Sequence, residues 1–337
     1  MGNCTRARLC CDRPEAETRL ARSAAWHEVR VKRLPHPIPY QGSKRQLAEA
    51  ILAFAPAQRR RLFEPFSGSA AVTIAAARGN LAQHFVVSDA LAPLAQVWGL
   101  IVNRPGALVA GYRDLWLSQA EDPAAAYNRI REGFNRDHDP VKLLYLLARC
   151  VKASVRFNRY GEFNQSPDHR RLGMRPTVLH REVAGAHALL AGRTSVLACD
   201  FRSIIDQATI RDLVYLDPPY QGTTNGRDQR YLSGLPLGEL LAGLSELNVR
   251  RVPFLLSYDG SCGERRYGDE LPPELGLRRV LLNAGRSTQA TLNGRSETTV
   301  ESLYLSPSLQ DVLATDGRAI PPPTHLPSLF GYAALSP

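Results

Sequence analysis

The sequence has no CxxC pair and no His/Cys spacing of the kind that holds zinc, although six cysteines are present. Cys4, Cys10, Cys11, Cys150, Cys199 and Cys262 are too sparse for a disulfide framework in 337 residues. They are expected as buried or incidental thiols of a reducing cytoplasm, and no metal site is expected. No run of about eighteen apolar residues occurs, so no membrane span is expected. The most apolar long stretch, Val141 to Val155, is broken by Lys142, Arg149 and Lys152. No apolar run follows Arg6 and Arg8, so a secretory leader is not expected. Arg6 also stands where N-myristoylation wants Ser or Thr. No GxGxxG follows the first expected strand, which speaks against a nicotinamide dinucleotide. There is no internal repeat.

What the chain does have is an excess of positive charge. Lys and Arg total 42 against 32 Asp and Glu, a formal net charge of +10. That balance suits a polyanionic partner such as nucleic acid. At 44% hydrophobic and 22% charged the chain reads as globular, long enough for one large domain or a domain with an insertion.

The two ends lack a packed pattern. Residues 1–34 are Arg-rich and read as a mobile basic extension. Residues 307–337 read as a Pro-rich tail, where Pro321-Pro322-Pro323 and scattered Ser speak against a packed element. Between them, strands are expected over 61–66, 84–88, 194–198, 212–216 and 252–257. Helices are expected over 69–78, with Gly79 as its C-cap, and over 237–247. Two more strands, 279–282 and 300–305, bracket a Thr- and Asn-rich segment that suits a DNA-facing loop or a plain connection. This alternation implies an α/β fold with a largely parallel sheet and helices on both faces. Residues 93–191 break the alternation. They read as a mostly helical insertion, clearest over 139–153, between the halves 35–92 and 192–306 of one α/β domain.

Two loops carry candidate chemistry. Phe63 to Val72 joins the first strand to a helix through small residues, which let the backbone approach a ligand at the helix N-terminus. Asp89 ends the next strand, at the spacing where a carboxylate binds ribose hydroxyls. The second loop is more specific. Leu213 to Leu216 is a buried strand that runs into Asp217-Pro218-Pro219-Tyr220. An exocyclic ring amine is a poor nucleophile because its lone pair is delocalised. The Asp217 carboxylate and the Pro218 carbonyl offer two acceptors for its two hydrogens. That pulls the nitrogen toward tetrahedral geometry and exposes the lone pair to a methyl donor. The two prolines keep both acceptors preorganised, and Tyr220 offers a face for stacking.

These segments resemble those of the Dam-type, alpha-group adenine DNA methyltransferases, in the family's order and over roughly residues 37–306. They are Pro39-Tyr40-Gln41-Gly42-Ser43-Lys44, Phe63-Glu64-Pro65-Phe66-Ser67-Gly68, Ser88-Asp89, Cys199-Asp200-Phe201 and Asp217-Pro218-Pro219-Tyr220. The resemblance implies a Rossmann-like fold that uses S-adenosylmethionine and methylates adenine after flipping it from the duplex. It implies that Tyr40 and Lys44 line the methionine end of the cofactor, and that Glu64, Pro65, Phe66 and Gly68 shape its pocket. Asp89 would hold the ribose, Asp200 and Phe201 would flank the cofactor's adenine, and Asp217 to Tyr220 would grip the target base, with Asp217 also touching the cofactor. The family often has glycine where Ala70 stands, so a methyl is expected close to the cofactor.

Arg156 to Gln165 resembles the family's hairpin in the target-recognition part. Arg156, Asn158, Arg159 and Asn164 are side-chain types suited to base-edge readout, and Phe163 is an aromatic candidate for wedging into the stack. Lys152, His169, Arg170 and Arg171 are expected on phosphates. Residues 221–231 read as a loop that closes over the site. Double-stranded DNA is the expected partner. A cognate restriction endonuclease is compatible with the family, and no obligate protein partner is evident. Two alternatives stay open. One is another planar amine as target: the cytosine 4-amino group, an RNA base or a protein glutamine. The other is a non-catalytic DNA-binding homologue, toward which only Ala70 leans.

Overall fold

The computed structural model describes residues 33–219, 235–262, 265–267, 271–286 and 298–320. The expected closing loop at 221–231, Tyr220 and most of both terminal segments lie outside the described residues.

The elements run α1 (Ala48–Leu52), β1 (Arg59–Glu64), α2 (Ala71–Arg78), β2 (Ala82–Asp89), α3 (Ala92–Asn103), α4 (Pro105–Leu117), α5 (Pro123–Asp137), α6 (Pro140–Arg149) and α7 (Pro176–Leu190). Then come β3 (Thr194–Ala198), α8 (Phe201–Ile205), β4 (Leu213–Leu216), α9 (Leu237–Val249), β5 (Phe254–Cys262), β6 (Arg265–Tyr267), β7 (Arg278–Arg286), β8 (Thr298–Leu305) and α10 (Pro307–Thr315). The strands form one sheet in the order β3-β2-β1-β4-β5-β8-β7, with β6 paired on β5. The first five are mutually parallel, and β8 and β7 are antiparallel. All four residues of β4 are buried, as a central parallel strand covered on both faces requires. The strand order reverses between β1 and β4. Their C-terminal ends, Glu64 and Leu216, therefore open onto a topological switch point, where α/β sheets hold their ligands.

The stretch expected to be helical is helical. α4 and α5 each pack on α6, and α3 and α7 pack on α4 while also reaching the sheet layer, α3 on β2 and β3 and α7 on α2. One hydrophobic cluster runs from Leu62, Phe85 and Tyr215 in the sheet to Tyr127, Leu144 and Phe163 in the insertion. α6 starts where expected because the Asp139 carboxylate accepts from the Val141 and Lys142 amides at 2.8 and 3.0 Å. It ends at Arg149, short of the expected Ala153. Cys150 turns extended, and Lys152 (φ 61°) and Ala153 (φ 50°) are left-handed. The Ala153 carbonyl leaves the helix to accept from the Gln41 amide at 3.0 Å.

One expectation needs correcting. Residues 307–315 are not tail but helix α10, because the Ser306 side chain accepts from the Leu309 amide and Leu309 and Leu313 are buried. Gly79 closes α2 as expected, at φ −82°, and Asn80 takes the left-handed position at φ 50°.

Candidate active site

β1 ends in Glu64, whose buried carboxylate accepts from the Thr73 amide of α2 at 2.8 Å. Burial pushes its pKa up to about 8. The Thr73 and Val72 hydrogen bonds pull it down and Asp217 adds to the rise. The turn that follows is held from three sides. The Gly68 amide donates to Asp89 Oδ2 at 3.1 Å, Trp98 Nε1 donates to the Gly68 carbonyl at 3.0 Å, and the Ser67 amide donates to the Ser88 carbonyl at 2.9 Å. Gly68 sits at φ +43°, and a Cβ there would meet the Tyr40 ring at 3.0 Å. Glycine is therefore needed twice over, for its conformation and for its missing side chain. Asp89 also accepts from the Leu91 amide at 3.0 Å. Burial raises its pKa to about 6, against the pull of the Leu91, Gly68 and Ser67 donors.

Ala70 departs from its expected place. Its methyl is fully buried in the core, and the residue does not line the cavity. What it brings is backbone strain, at φ 44° and ψ 38°.

Beyond β4, Asp217 Oδ1 lies 2.9 Å from Lys44 Nζ, and Lys44 is only 5% exposed. Burial pushes the Asp217 pKa up to about 6, opposed by Lys44 and helped by Glu301 on β8. The Tyr215 hydroxyl, two residues back in the buried strand, hydrogen-bonds Ser257 at 3.0 Å.

All ten residues expected to hold the cofactor, Tyr40, Lys44, Glu64, Pro65, Phe66, Gly68, Asp89, Asp200, Phe201 and Asp217, line one cavity of about 530 Å³ with Pro218 and Pro219. Its wall carries an aromatic pair, Phe66 and Phe201, with ring centroids 5.2 Å apart and planes at 30°. Asp200 caps α8 by accepting from the Arg202 amide at 2.9 Å. Gly243 on α9 makes room for Phe201, since a Cβ there would come within 2.9 Å of the ring. Among the described lining residues, Glu64, Asp89, Asp200, Asp217 and Glu239 face a single cation, Lys44. Even with Glu64 neutral, four carboxylates meet one ammonium. A chain of net positive charge has built an acidic cavity at its strand ends.

That set of segments, in that order around one switch point, marks a lineage. Residues 40–272 match the family of D12 class N6 adenine-specific DNA methyltransferases. This chain belongs to that family. Its sheet is accordingly the Rossmann-like fold of S-adenosylmethionine-dependent methyltransferases. The chain is 27% identical over 259 residues to a DNA N-6-adenine-methyltransferase of Escherichia phage P1, covering 74% of this chain and 32% of the relative. It is 27% identical over 195 residues to the retron Ec67 DNA adenine methylase of Escherichia coli, covering 56% of this chain and 65% of the relative. The chain thus spans about a third of the length of the phage relative and just under two thirds of the retron one.

The expected DNA-contacting residues sort into three groups. Arg159, Asn164 and Arg170 are exposed, and Arg159 lies over the exposed Tyr160 ring at 4.7 Å. Asn158 spends its side chain on the loop itself, accepting from the Tyr160 and Glu162 amides and donating to Glu162 Oε2. Gly161 at φ +77° makes the tight turn that was expected there. Arg156 is half-buried beneath this loop. Phe163 is a correction. It is 1% exposed and packs edge-on against Phe134 and Phe157, so it anchors the loop and has no face for wedging into a stack. The exposed ring of the loop is Tyr160.

Sequence reasoning missed four contributors: Trp98, Gly243, Phe157, which lines the cavity, and Glu301. Only Glu301 left a signal, as a charge inside the otherwise β-forming run Thr298–Leu305.

Proposed function

We propose that this chain transfers a methyl group from S-adenosylmethionine to the 6-amino group of adenine in double-stranded DNA, with the target base turned out of the stack. The observation that carries the reading is Asp217-Pro218-Pro219 at the end of a buried strand, on the wall of a cavity lined by all ten expected cofactor residues. The cavity's volume suits a nucleoside-sized ligand, and its excess of carboxylates suits a cationic one. The cradle at Gly68, which a Cβ would fill, suits close backbone approach. These features fit S-adenosylmethionine, which is a sulfonium. When bound, it supplies an electrophilic methyl group and leaves as the neutral thioether.

The chain's own groups do the rest. Phe66 and Phe201 offer faces for the cofactor's purine, and Asp89 offers a carboxylate for its ribose. Asp217 and the Pro218 carbonyl accept the two hydrogens of the target amine and aim its lone pair. Asp217 then takes the proton that the methylated nitrogen gives up. In this reading residues 35–92 and 192–306 carry catalysis, and 93–191 present Arg156, Arg159, Asn164 and Arg170 to DNA. Tyr220, outside the described residues, is the stacking partner that the motif supplies. The non-catalytic alternative loses its only support, since the Ala70 methyl faces the core.

Among the described residues no helix is long and apolar enough to cross a membrane. The reading places the chain with chromosomal or phage DNA in the cytoplasm. A restriction endonuclease with the same recognition sequence is the companion it admits. Incubation with duplex DNA and labelled S-adenosylmethionine, then nucleoside analysis, tests the reading. N6-methyl-2′-deoxyadenosine is expected. Label in cytosine or in protein, or no transfer at all, overturns it.

A further inference from the structure

Among the described residues lining the cavity, Lys44 is the only cation, and its ammonium is wedged between two carboxylates. Asp217 Oδ1, at the end of β4, lies 2.9 Å from Nζ. Glu301 Oε2, from the middle of β8, lies at 3.4 Å. The Gly42 carbonyl is also at 3.4 Å. Glu301 Oε2 is buried and makes no hydrogen bond; its approach to Lys44 is at ion-pair range only. A buried carboxylate oxygen left without a donor is costly and calls for a reason. The fold holds it there deliberately. Glu301 pairs with Leu282 on β7 and Gly260 on β5. A Cβ at Gly260 would meet the Val300 carbonyl at 2.5 Å, so only glycine lets β5 and β8 approach this closely.

Lys44 meanwhile holds Asp217 Oδ1, one of the two carboxylate oxygens available to accept from the target amine. We infer that Glu301 is a positioning residue that takes Lys44 over from Asp217 when the amine enters. The inference rests on the reading that Asp217 accepts from an exocyclic amine. The ammonium moves by roughly half an ångström to reach charge-assisted hydrogen-bond distance from Glu301 Oε2. Asp217 Oδ1 is then released for the substrate, and the buried ammonium stays neutralised throughout. Among the described residues Asp217 and Glu301 are the two carboxylates at ion-pair range of Lys44, so loss of the Glu301 charge leaves the ammonium on Asp217.

The charged and titratable groups facing Asp217 are Lys44 from the turn before α1, Glu64 from β1, Glu301 from β8 and, below it in β4, Tyr215. Removing the Glu301 charge removes one of the negative neighbours and leaves the lysine in place. Asp217 then ionises more easily yet is less available. Glu301→Gln, which keeps the shape of the side chain, is therefore expected to lower the single-turnover methylation rate at least about tenfold. It also moves the acid limb of the pH–rate profile to lower pH. In a Lys44→Met background, the same substitution is expected to add almost nothing, because nothing remains to be handed over. A lowered rate with the acid limb unmoved, or additive losses in the double variant, overturns the inference alone. A wild-type chain that transfers no methyl to adenine overturns the reading on which it rests, and the inference with it.

Discussion

Gly243 and Gly238 lie in the same helix, α9, and differ in what a methyl group would meet. At Gly243 the added Cβ falls 2.9 Å from Phe201 Cε2 and 3.1 Å from Ile205 Cδ1. At Gly238 it meets nothing within 4 Å. Helix propensity alone makes each Gly→Ala change favourable by up to about 1 kcal/mol. Gly238→Ala should show that gain, reduced because the site is in the first turn. At Gly243 the clash opposes it, and overpacking of this kind costs about 1–3 kcal/mol. A net loss of about 1 kcal/mol is expected, so the two variants should differ by about 1–2 kcal/mol in urea denaturation. Phe201 lines the cavity and pairs there with Phe66, so a displaced ring disturbs that pair. Loss of an aligned aromatic contact is worth about 1 kcal/mol, or roughly a fivefold weaker Kd for S-adenosylmethionine. Calorimetric titration of both variants measures it. Wild-type affinity in Gly243→Ala, or equal stability of the two variants, would refute the claim that this glycine seats the Phe201 ring.

Asp217→Ala should lower methylation by about a thousandfold or more while cofactor affinity stays within a few-fold, measured by single turnover and by titration on the same preparation. Glu64 makes stability fall with rising pH. Its folded pKa of about 8 exceeds the ordinary value of 4.5, so the folded state holds the proton more tightly than the unfolded chain does. The contribution is full below about 4.5 and is lost as pH rises toward about 8. Glu64→Gln should flatten that decline by a few kcal/mol in denaturation curves taken across this range, and parallel curves for the two proteins would contradict it. Arg149 is a buried cation whose guanidinium donates to Gln119 Oε1 at 3.0 Å and to the carbonyls of Asp168 and Arg171 at 2.5 and 2.8 Å. Arg149→Met should cost about 2–3 kcal/mol of stability and weaken duplex DNA binding through Arg170, with cofactor affinity unchanged.

Much of this was legible in the sequence because strand ends announce themselves. Thr194–Ala198 forms as expected, and Asp217 stands where a fully apolar strand stops. The cofactor segments converge because a parallel sheet brings the C-terminal ends of its strands to one edge, whatever their separation in sequence. Side-chain facing was not legible where the backbone leaves regular geometry. Phe163 sits beside exposed polar residues, yet it turns inward to Phe134 across an edge that only tertiary packing creates. Ala70 was expected to point at a ligand, and its left-handed backbone sends the methyl the other way. Lys152 and Ala153 carry no glycine to warn of a left-handed pair. Helix α10 was obscured by its first residue, since Pro307 reads as a breaker but is well suited to the first helical position.

The single hydrophobic cluster that runs from the sheet into the insertion has a consequence for recombination. On the reading that residues 93–191 face DNA, their wholesale exchange would still disturb the core, because α3 and α7 at the borders pack on β2, β3 and α2, and their apolar faces would arrive mismatched. The exposed crossings lie further in, at Ser118 and Ala120–Asp122 before α5 and at His169–Leu172 after the loop of Arg159 and Tyr160. Even a smaller cassette of α5, α6 and that loop keeps a seam with the rest, because α6 packs on α3 and α4 as closely as on α5, so the apolar faces of α3 and α4 must be matched along with it.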